Sequence, residues 1–319
     1  NPRELLFLVV QFVNKTHLCT FAGKLLPAIA NKVHPYMEAD ITTLYRSGFY
    51  QVLDFKCRCT DCATSKPEYV DTFSISFVRK GNFLFNVFRN SFDAHTGRVL
   101  LTKPGYEHTV THIHEIPDEC TIIEFTRDFY TQIKKHYRHH NFLSDPDIHS
   151  LQIHTTADTE LLHHYLLSRL LSNKTDRLEL DLIVLDILSK TLNVVTSAIQ
   201  TSLPPRMKKN HLGTVEQAKD YMMQHFAEDI SLTDIAAACC ISPFHFSRIF
   251  RTFTGYSPHF FLLSVRLKNA ELLLKITSSP ITDIAFLSGF KSAEHFSATF
   301  SERFGHSPLK YRHQIRIPG

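Results

Sequence analysis

Three thiols stand within six residues, Cys57-Arg-Cys59-Thr-Asp-Cys62, and this is the densest cluster of metal-seeking side chains in the sequence. On an extended strand Cys57 and Cys59 share one side of the pleat. A turn after them would bring Cys62 round, and Cys120, in Asp118-Glu119-Cys120, or one of His108, His112 and His114, would complete a set of four donors. Sulfur and imidazole in that number fit tetrahedral zinc, so Cys57, Cys59, Cys62 and Cys120 are the candidate ligands of a structural Zn site. The spacing does not reproduce the two separated Cys pairs of a zinc ribbon. Reduced thiols without metal, and a metal or thiol-redox sensor built on Cys57, Cys59 and Cys62, stay open as alternatives. His112 and His114 alternate onto one strand face and read as polar lining or surface, because no carboxylate or glycine spacing typical of a paired-histidine metal site accompanies them. His139-His140 and His163-His164 read as solvated helix faces.

A second chemistry lies toward the other end, where the sequence repeats itself. At an offset of 50, Ser242/Ser292, His245/His295, Phe246/Phe296, Ser247/Ser297, Phe250/Phe300, Gly255/Gly305, Ser257/Ser307 and Pro258/Pro308 coincide, eight identities in seventeen positions. At an offset of 49, Thr233-Asp-Ile-Ala236 matches Thr282-Asp-Ile-Ala285, so one residue is inserted in the second copy. A repeat of this length is one supersecondary unit used twice. Each copy reads as helix, tight turn, helix. Ser231 caps a helix through Leu232, Ile235, Ala236 and Cys239, and Ser242-Pro243 is a cap with proline at the first helical position. Phe246, Ile249, Phe250 and Phe253 fall at i, i+3, i+4 and i+7, burying one face and leaving Phe244, His245, Ser247, Arg248 and Arg251 outward. A short polar helix presented in this way fits a DNA major groove. Between the copies Phe260, Leu263, Leu267, Ala270 and Leu274 form a stripe on a helix of about 18 residues, or about 27 Å. With the turns added, the two reading helices can stand about 34 Å apart, one turn of DNA.

The ordered pattern Ile235-Ala236, Ser242-Pro-x-x-Phe246-Ser-Arg-x-Phe250, Gly255-x-Ser-Pro258, Arg266, Ala270, Leu273-Leu274, Ile281-x-x-Ile284-Ala285, Gly289-Phe290, Phe296, Phe300, Gly305-x-Ser-Pro308 and Tyr311-Arg312 resembles the arabinose-regulator (AraC/XylS) family over roughly residues 212 to 314. The resemblance implies a double helix-turn-helix domain with a rigid connecting helix. Carried over by position, Phe244, Ser247 and Arg248 face bases in the first unit, and Glu294, His295 and Ser297 do so in the second. Ala298 departs from the family's frequent Arg at the position opposite Arg248, so the second unit either binds more weakly or leans on Lys291 and backbone contacts. With the flanking polar residues, the DNA-facing set is Phe244, His245, Ser247, Arg248 and Arg251, then Lys291, Ser292, Glu294, His295 and Ser297. Lys208, Lys209, Arg251, Lys268, Arg312 and helix N-termini are expected on phosphates and supply most affinity, while Arg248 on a guanine edge supplies about 1 to 3 kcal/mol of discrimination. The resemblance further implies double-stranded promoter DNA and RNA polymerase as partners, a homodimer, a cupin-like N-terminal barrel that senses a small-molecule effector, and a transcription activator or repressor as the product.

The elements before the repeat agree with two domains. From Asp40 to Glu124 short β-branched and aromatic runs are broken by Gly81-Asn82, Thr96-Gly97 and Pro104-Gly105, which predicts a small antiparallel barrel or sandwich with Thr121 to Phe125 as its last strand. Helical periodicity follows from Asp128, from Thr156 to Leu171 and from Arg177 to Ile199. The last carries Leu178, Leu182, Leu185, Leu192 and Ile199, a stripe that packs on its own domain or forms a dimer seam. Thr201 to Asn210, with two prolines and three basic residues, reads as a linker. The expected fold is an α+β multidomain chain: residues 1 to 39 an irregular or truncated start, 40 to 200 a cupin-like antiparallel β-barrel with a helical dimerisation segment, 201 to 211 a linker, and 212 to 316 an all-α double helix-turn-helix domain.

Composition bounds the rest. The 319 residues are 43% hydrophobic, enough for two ordinary cores. The net charge of +4 sits wholly after Arg206, where 13 Lys and Arg face 9 Asp and Glu. That asymmetry suits a polyanion, though weakly by itself. Seven cysteines, an odd count with Cys239 and Cys240 adjacent, do not form a secreted disulfide framework. The apolar run from Leu5 to Val13 is far shorter than the roughly 20 residues of a membrane-spanning helix, so no membrane partner and a cytoplasmic location are expected. No nucleophile elbow, phosphate loop, H-E-x-x-H or Ser/His/Asp arrangement supports ordinary catalysis. An enzyme is therefore not expected. The competing classes are a cupin-type metal enzyme and a DNA-repair protein with an appended DNA module, and the cysteine spacing fits the latter poorly.

Overall fold

A computed structural model describes residues 39–58, 64–113, 117–171, 176–195 and 204–316. The chain divides into two compact units, residues 1–155 with 165–212, and residues 156–164 with 213–319.

The first unit is built from ten strands: β1 (Ala39–Arg46), β2 (Tyr50–Cys57), β3 (Glu68–Tyr69), β4 (Phe73–Lys80), β5 (Asn82–Val87), β6 (Asn90–His95), β7 (Arg98–Thr102), β8 (Glu107–His112), β9 (Glu119–Phe125) and β10 (Ser150–His154). They form a six-stranded sheet in the order β1-β2-β9-β4-β7-β10 and a four-stranded sheet in the order β3-β8-β5-β6, with every pairing antiparallel. Between the sheets Val78, Leu100 and Cys120 of the larger one pack with Phe83, Phe85, Phe92, Ala94 and Val110 of the smaller. The alternation read from the sequence thus produces a two-sheet sandwich with an apolar filling. Among the described residues the ladders do not close into the expected barrel.

Further readings are corrected. Phe125 does not end the last strand, because Ser150–His154 returns after two helices, α1 (Arg127–His136) and α2 (Asn141–Ser144), to pair with β7. Its five residues are too few to show a period in the sequence. Next come α3 (Ala157–Leu171), α4 (Arg177–Val195) and α5 (Pro205–His225). The segment expected as a linker is helical from Pro205, since a proline in the first turn removes only an amide that has no helical partner. Lys208 is buried and its Nζ lies 2.5 Å from Asp93 Oδ1, so it is no phosphate contact. Along α4, Leu185 and Leu192 are buried while Leu178 and Leu182 are exposed, and Ile199 lies outside the described residues. The histidine pairs are not plain solvated faces. His140 Nε2 lies 2.8 Å from the Leu192 carbonyl oxygen, and His163 and His164 are half-buried.

The second unit is helical: α5 continues into it, followed by α6 (Leu232–Ala238), α7 (Pro243–Thr254), α8 (Pro258–Ile276), α9 (Ile281–Leu287), α10 (Ala293–Phe304) and α11 (Pro308–Arg316). No described helix is long and apolar enough to cross a membrane.

Candidate nucleic-acid interface

Each copy of the repeat folds as helix, turn, helix, and most of the backbone devices appear twice, although α9 begins after Pro280 with no side-chain cap. Ser231 accepts from the Asp234 amide while the Asp234 carboxylate accepts from the Ser231 amide, a reciprocal cap that starts α6. Both short helices end alike. In the first copy the Ile241 amide donates to the Ala236 carbonyl at 3.0 Å, and in the second the Phe290 amide donates to the Ala285 carbonyl at 3.0 Å. This bond needs a left-handed residue just before it, supplied by Cys240 (φ 53°) and by Gly289 (φ 82°). The copies differ here. A Cβ on Gly289 would stand 2.4 Å from the Phe226 carbonyl oxygen and 2.8 Å from Arg266 Nε, so only glycine fits. Ser242 and Ser292 then cap α7 and α10 by accepting from the amides of His245 and His295. Lys291 is the inserted residue that shifts the repeat offset from 49 to 50.

Helix α8 holds the copies apart. Leu267, Ala270 and Leu274 face the second copy, packing with Ile284, Ala285, Phe290, Phe296 and Phe300. Its other face carries Phe261, whose ring meets Phe250 of the first copy edge-on at 5.4 Å. Apolar on two faces, its 19 residues act as a shared core about 28 Å long. Phe260, expected in the stripe, is instead exposed and stacks on Tyr256. Arg266 ties α8 to the turn after α5, its guanidinium donating to the carbonyls of Phe226 at 2.8 Å and Glu228 at 2.7 Å.

Two of the expected phosphate contacts in this unit are structural. Lys268 is fully buried and pairs with Glu271 at 2.6 Å, and Lys275 pairs with the other oxygen of Glu271 at 2.6 Å. Burial alone would raise the Glu271 pKa, but Lys268 and Lys275 outweigh it and hold the carboxyl well below the usual carboxylate range. Arg312 donates to the Ser279 carbonyl at 2.7 Å and anchors α11. The Arg312 partner is a backbone carbonyl 33 positions away and leaves no trace in the sequence, whereas Lys268 and Lys275 stand at i,i+3 and i,i+4 spacing from Glu271 and only the burial of the first was hidden.

The outward faces carry the candidate DNA contacts. On α7, Phe246, Ile249, Phe250 and Phe253 are buried, Phe244 (83% exposed), Arg248 and Arg251 are exposed, and His245 and Ser247 are half-buried. On α10, Phe296 and Phe300 are buried, Glu294, His295 and Ala298 are exposed, and Ser297 is half-buried. Lys291 is exposed and bridges to exposed Asp229 at 2.8 Å, a pair that water screens and a phosphate can replace. Ser292 is half-buried and holds the α10 cap. The structure thus presents every residue of the DNA-facing set at or near the surface of the two second helices. The first turn of α7 contains no acid, and the one acid in the first turn of α10, Glu294, is exposed.

At the other end of the chain the structure brings Cys57 together with His112 and Asp118, all buried, with donor atoms within 4.8 Å of one another. Cys120 lies in the apolar filling instead, where burial raises its thiol pKa above the ordinary range. Cys59, Cys62 and His114 lie outside the described residues. Asp118 is the residue that the sequence reading left out: it sits six positions after His112, and no strand period links them.

Comparison with known proteins bears on the repeat. A family model for a helix-turn-helix domain matches residues 216–314. An uncharacterized HTH-type transcriptional regulator of Staphylococcus aureus (strain COL) is 30% identical over 175 residues, covering 52% of this chain and 23% of that protein. The uncharacterized HTH-type transcriptional regulator YdeC of Bacillus subtilis (strain 168) is 24% identical over 251 residues, 76% of this chain and 84% of that protein. Among solved structures, the DNA-binding domain of AdpA in complex with a target DNA is 27% identical and covers 32% of this chain and 93% of that one, with a TM-score of 0.32. The chain spans less than a quarter of the length of the first staphylococcal relative.

Proposed function

We propose, from the premise that residues 216–314 form an AraC-type helix-turn-helix domain, that the whole protein is a transcription regulator that reads double-stranded promoter DNA through two adjacent major grooves. The observation that carries this reading is the pair of capped helices α7 and α10, each with an apolar face buried on α8 and a polar face turned to solvent. Arg248 reads a base edge, best a guanine, and Phe244, His245 and Ser247 make the flanking contacts. Glu294 accepts from a cytosine amino group, with His295 and Ser297 beside it. Arg251, Lys291 and the N-termini of both helices take phosphates. Selection from random duplexes followed by footprinting of the full chain tests this: two protected patches about one turn apart are expected, and binding without sequence preference contradicts it.

The N-terminal sandwich is the regulatory half in this reading. Support comes from an open cleft of about 620 Å³ whose lining includes Tyr106, Lys134, Arg138, Ser144, Asp145 and His149, where the two cations and the hydroxyl groups outweigh the one carboxylate and suit a small anionic effector. A homodimer would use α4, where Leu178 and Leu182 stay exposed while Leu185 and Leu192 are buried. Contact with RNA polymerase completes the proposed role.

A further inference from the structure

Three side chains far apart in sequence meet at one edge of the N-terminal sandwich. Cys57 ends β2 in the six-stranded sheet, and His112 ends β8 in the four-stranded sheet. Asp118 stands on the connection that carries the chain from β8 into β9, back to the larger sheet. The Cys57 amide donates to the Asp118 carbonyl at 2.8 Å, which extends the β2–β9 ladder by one bond and fixes the two backbones side by side. From that frame Cys57 Sγ lies 3.8 Å from His112 Nε2 and 3.9 Å from Nδ1, and His112 Nδ1 lies 2.7 Å from Asp118 Oδ2. Exposures are 5%, 5% and 1% for Cys57, His112 and Asp118.

We propose that Cys57, His112 and Asp118 form a buried binding site for a divalent, thiol-seeking cation of the zinc type. In a tetrahedral zinc site, bonds of about 2.0 to 2.3 Å place neighbouring donors roughly 3.3 to 3.7 Å apart, close to the spacing of sulfur and imidazole here. The sulfur and the imidazole need to close by only a few tenths of an ångström, and the Asp118 carboxylate, now 2.7 Å from Nδ1, lies within reach of the same ion. The charge count favours the ion: thiolate, carboxylate and neutral imidazole together carry two negative charges, and a divalent cation cancels them where unpaired charge would be costly. The Asp118 contact also orients the imidazole ring, as carboxylates do beside metal-ligating histidines. Cys120 is one strand position from Asp118's neighbour but points into the apolar filling, so it is not a ligand. The ion would clip the two sheets together at this edge, since its ligands come from both. This site stands independently of the DNA-reading assignment.

The test uses the full chain, stripped with chelator and titrated with Zn²⁺ or Co²⁺ alone. One ion per chain is expected, with the near-ultraviolet thiolate-to-cobalt absorption in the Co²⁺ form and a higher melting temperature in the Zn²⁺ form. Cys57→Ser and His112→Ala should abolish the stoichiometric binding, Asp118→Asn should weaken it about 10- to 100-fold, and Cys120→Ala should leave it unchanged. A folded wild-type chain that retains no metal overturns the proposal, as does binding that survives both Cys57→Ser and His112→Ala. Should those variants not fold, alkylation mapping of the wild type decides: Zn²⁺ must protect Cys57 and leave exposed Cys240 reactive, and equal reactivity of Cys57 with and without metal rejects the site.

Discussion

The two copies of the repeat share one scaffold and carry opposite surface chemistry. On α7 the charged residues are Arg248 and Arg251 with no acid, whereas α10 carries Glu294 and Glu302 against Arg303 alone. Ala298 stands where Arg248 stands in the first copy. Yet the buried faces coincide, Phe246 and Phe250 with Phe296 and Phe300, and the caps coincide, Ser242 with Ser292. The interior must fill a fixed space against α8, so it tolerates little change, while the exterior answers only to the ligand. On this account the first unit supplies most of the attraction to a polyanion, and the second contributes selectivity through acceptors such as Glu294.

If the scaffold is shared, breaking either interior should cost the same. Phe250→Ala and Phe300→Ala are each expected to destabilise the helical unit by about 3 to 5 kcal/mol in denaturant melts. A cost several-fold smaller in one copy would show that the copies do not bear equal loads. The next effect is asymmetric. Gly289→Ala combines a left-handed backbone, costing about 1 to 2 kcal/mol for a residue with a Cβ, with a collision against the Phe226 carbonyl. Gly305→Ala, at φ 76° but with open space around it, should show only the first cost. Equal losses in the two variants would remove the close approach from the account.

Acid tests the helix that the copies share. Glu271 has its folded-state pKa depressed, so its contribution is complete above the ordinary carboxylate range and is lost as pH falls from there through the lower folded value. A melting temperature that declines only below about pH 4.5 is expected, and Glu271→Gln should flatten that decline. Smaller again is the loss of discrimination in Arg248→Ala, about 1 to 3 kcal/mol. Arg251→Ala should instead weaken all sequences alike and reduce the salt slope by about 1. Least of all, Cys240→Gly should gain up to about 1 kcal/mol by relieving a non-glycine left-handed residue at the first turn.

The repeat was legible because its signals are local. A serine cap, a proline after it, four apolar residues at helical spacing and a glycine stop lie within fourteen positions, Ser242 to Gly255, and each dictates backbone geometry directly. What the sequence hid are the contacts between distant residues. Arg312 reads as a surface cation, and only packing shows it closed on the Ser279 carbonyl, 33 positions away; Lys268 and Glu271 stand at visible helical spacing, and what the sequence hid there is their burial. Lys208 misled for the same reason as Arg312, its partner Asp93 lying 115 positions away. In the sandwich the strand alternation was readable, but whether two sheets close into a barrel depends on register between strands far apart, which no local pattern records. The metal-seeking thiols show both sides: Cys57 and His112 were visible as candidate donors, but no strand period links Asp118 to them.

The claim that one groove-reading helix dominates is tested most directly by measuring position-resolved binding preferences of the full chain, with the wild type, Arg248→Ala and Glu294→Ala compared on one duplex library at one salt concentration. Arg248→Ala should erase the preference over one half-site and lower affinity more than Glu294→Ala, which should relax a single position in the other half-site. Identical profiles for all three, or a larger loss from Glu294→Ala, would contradict the account.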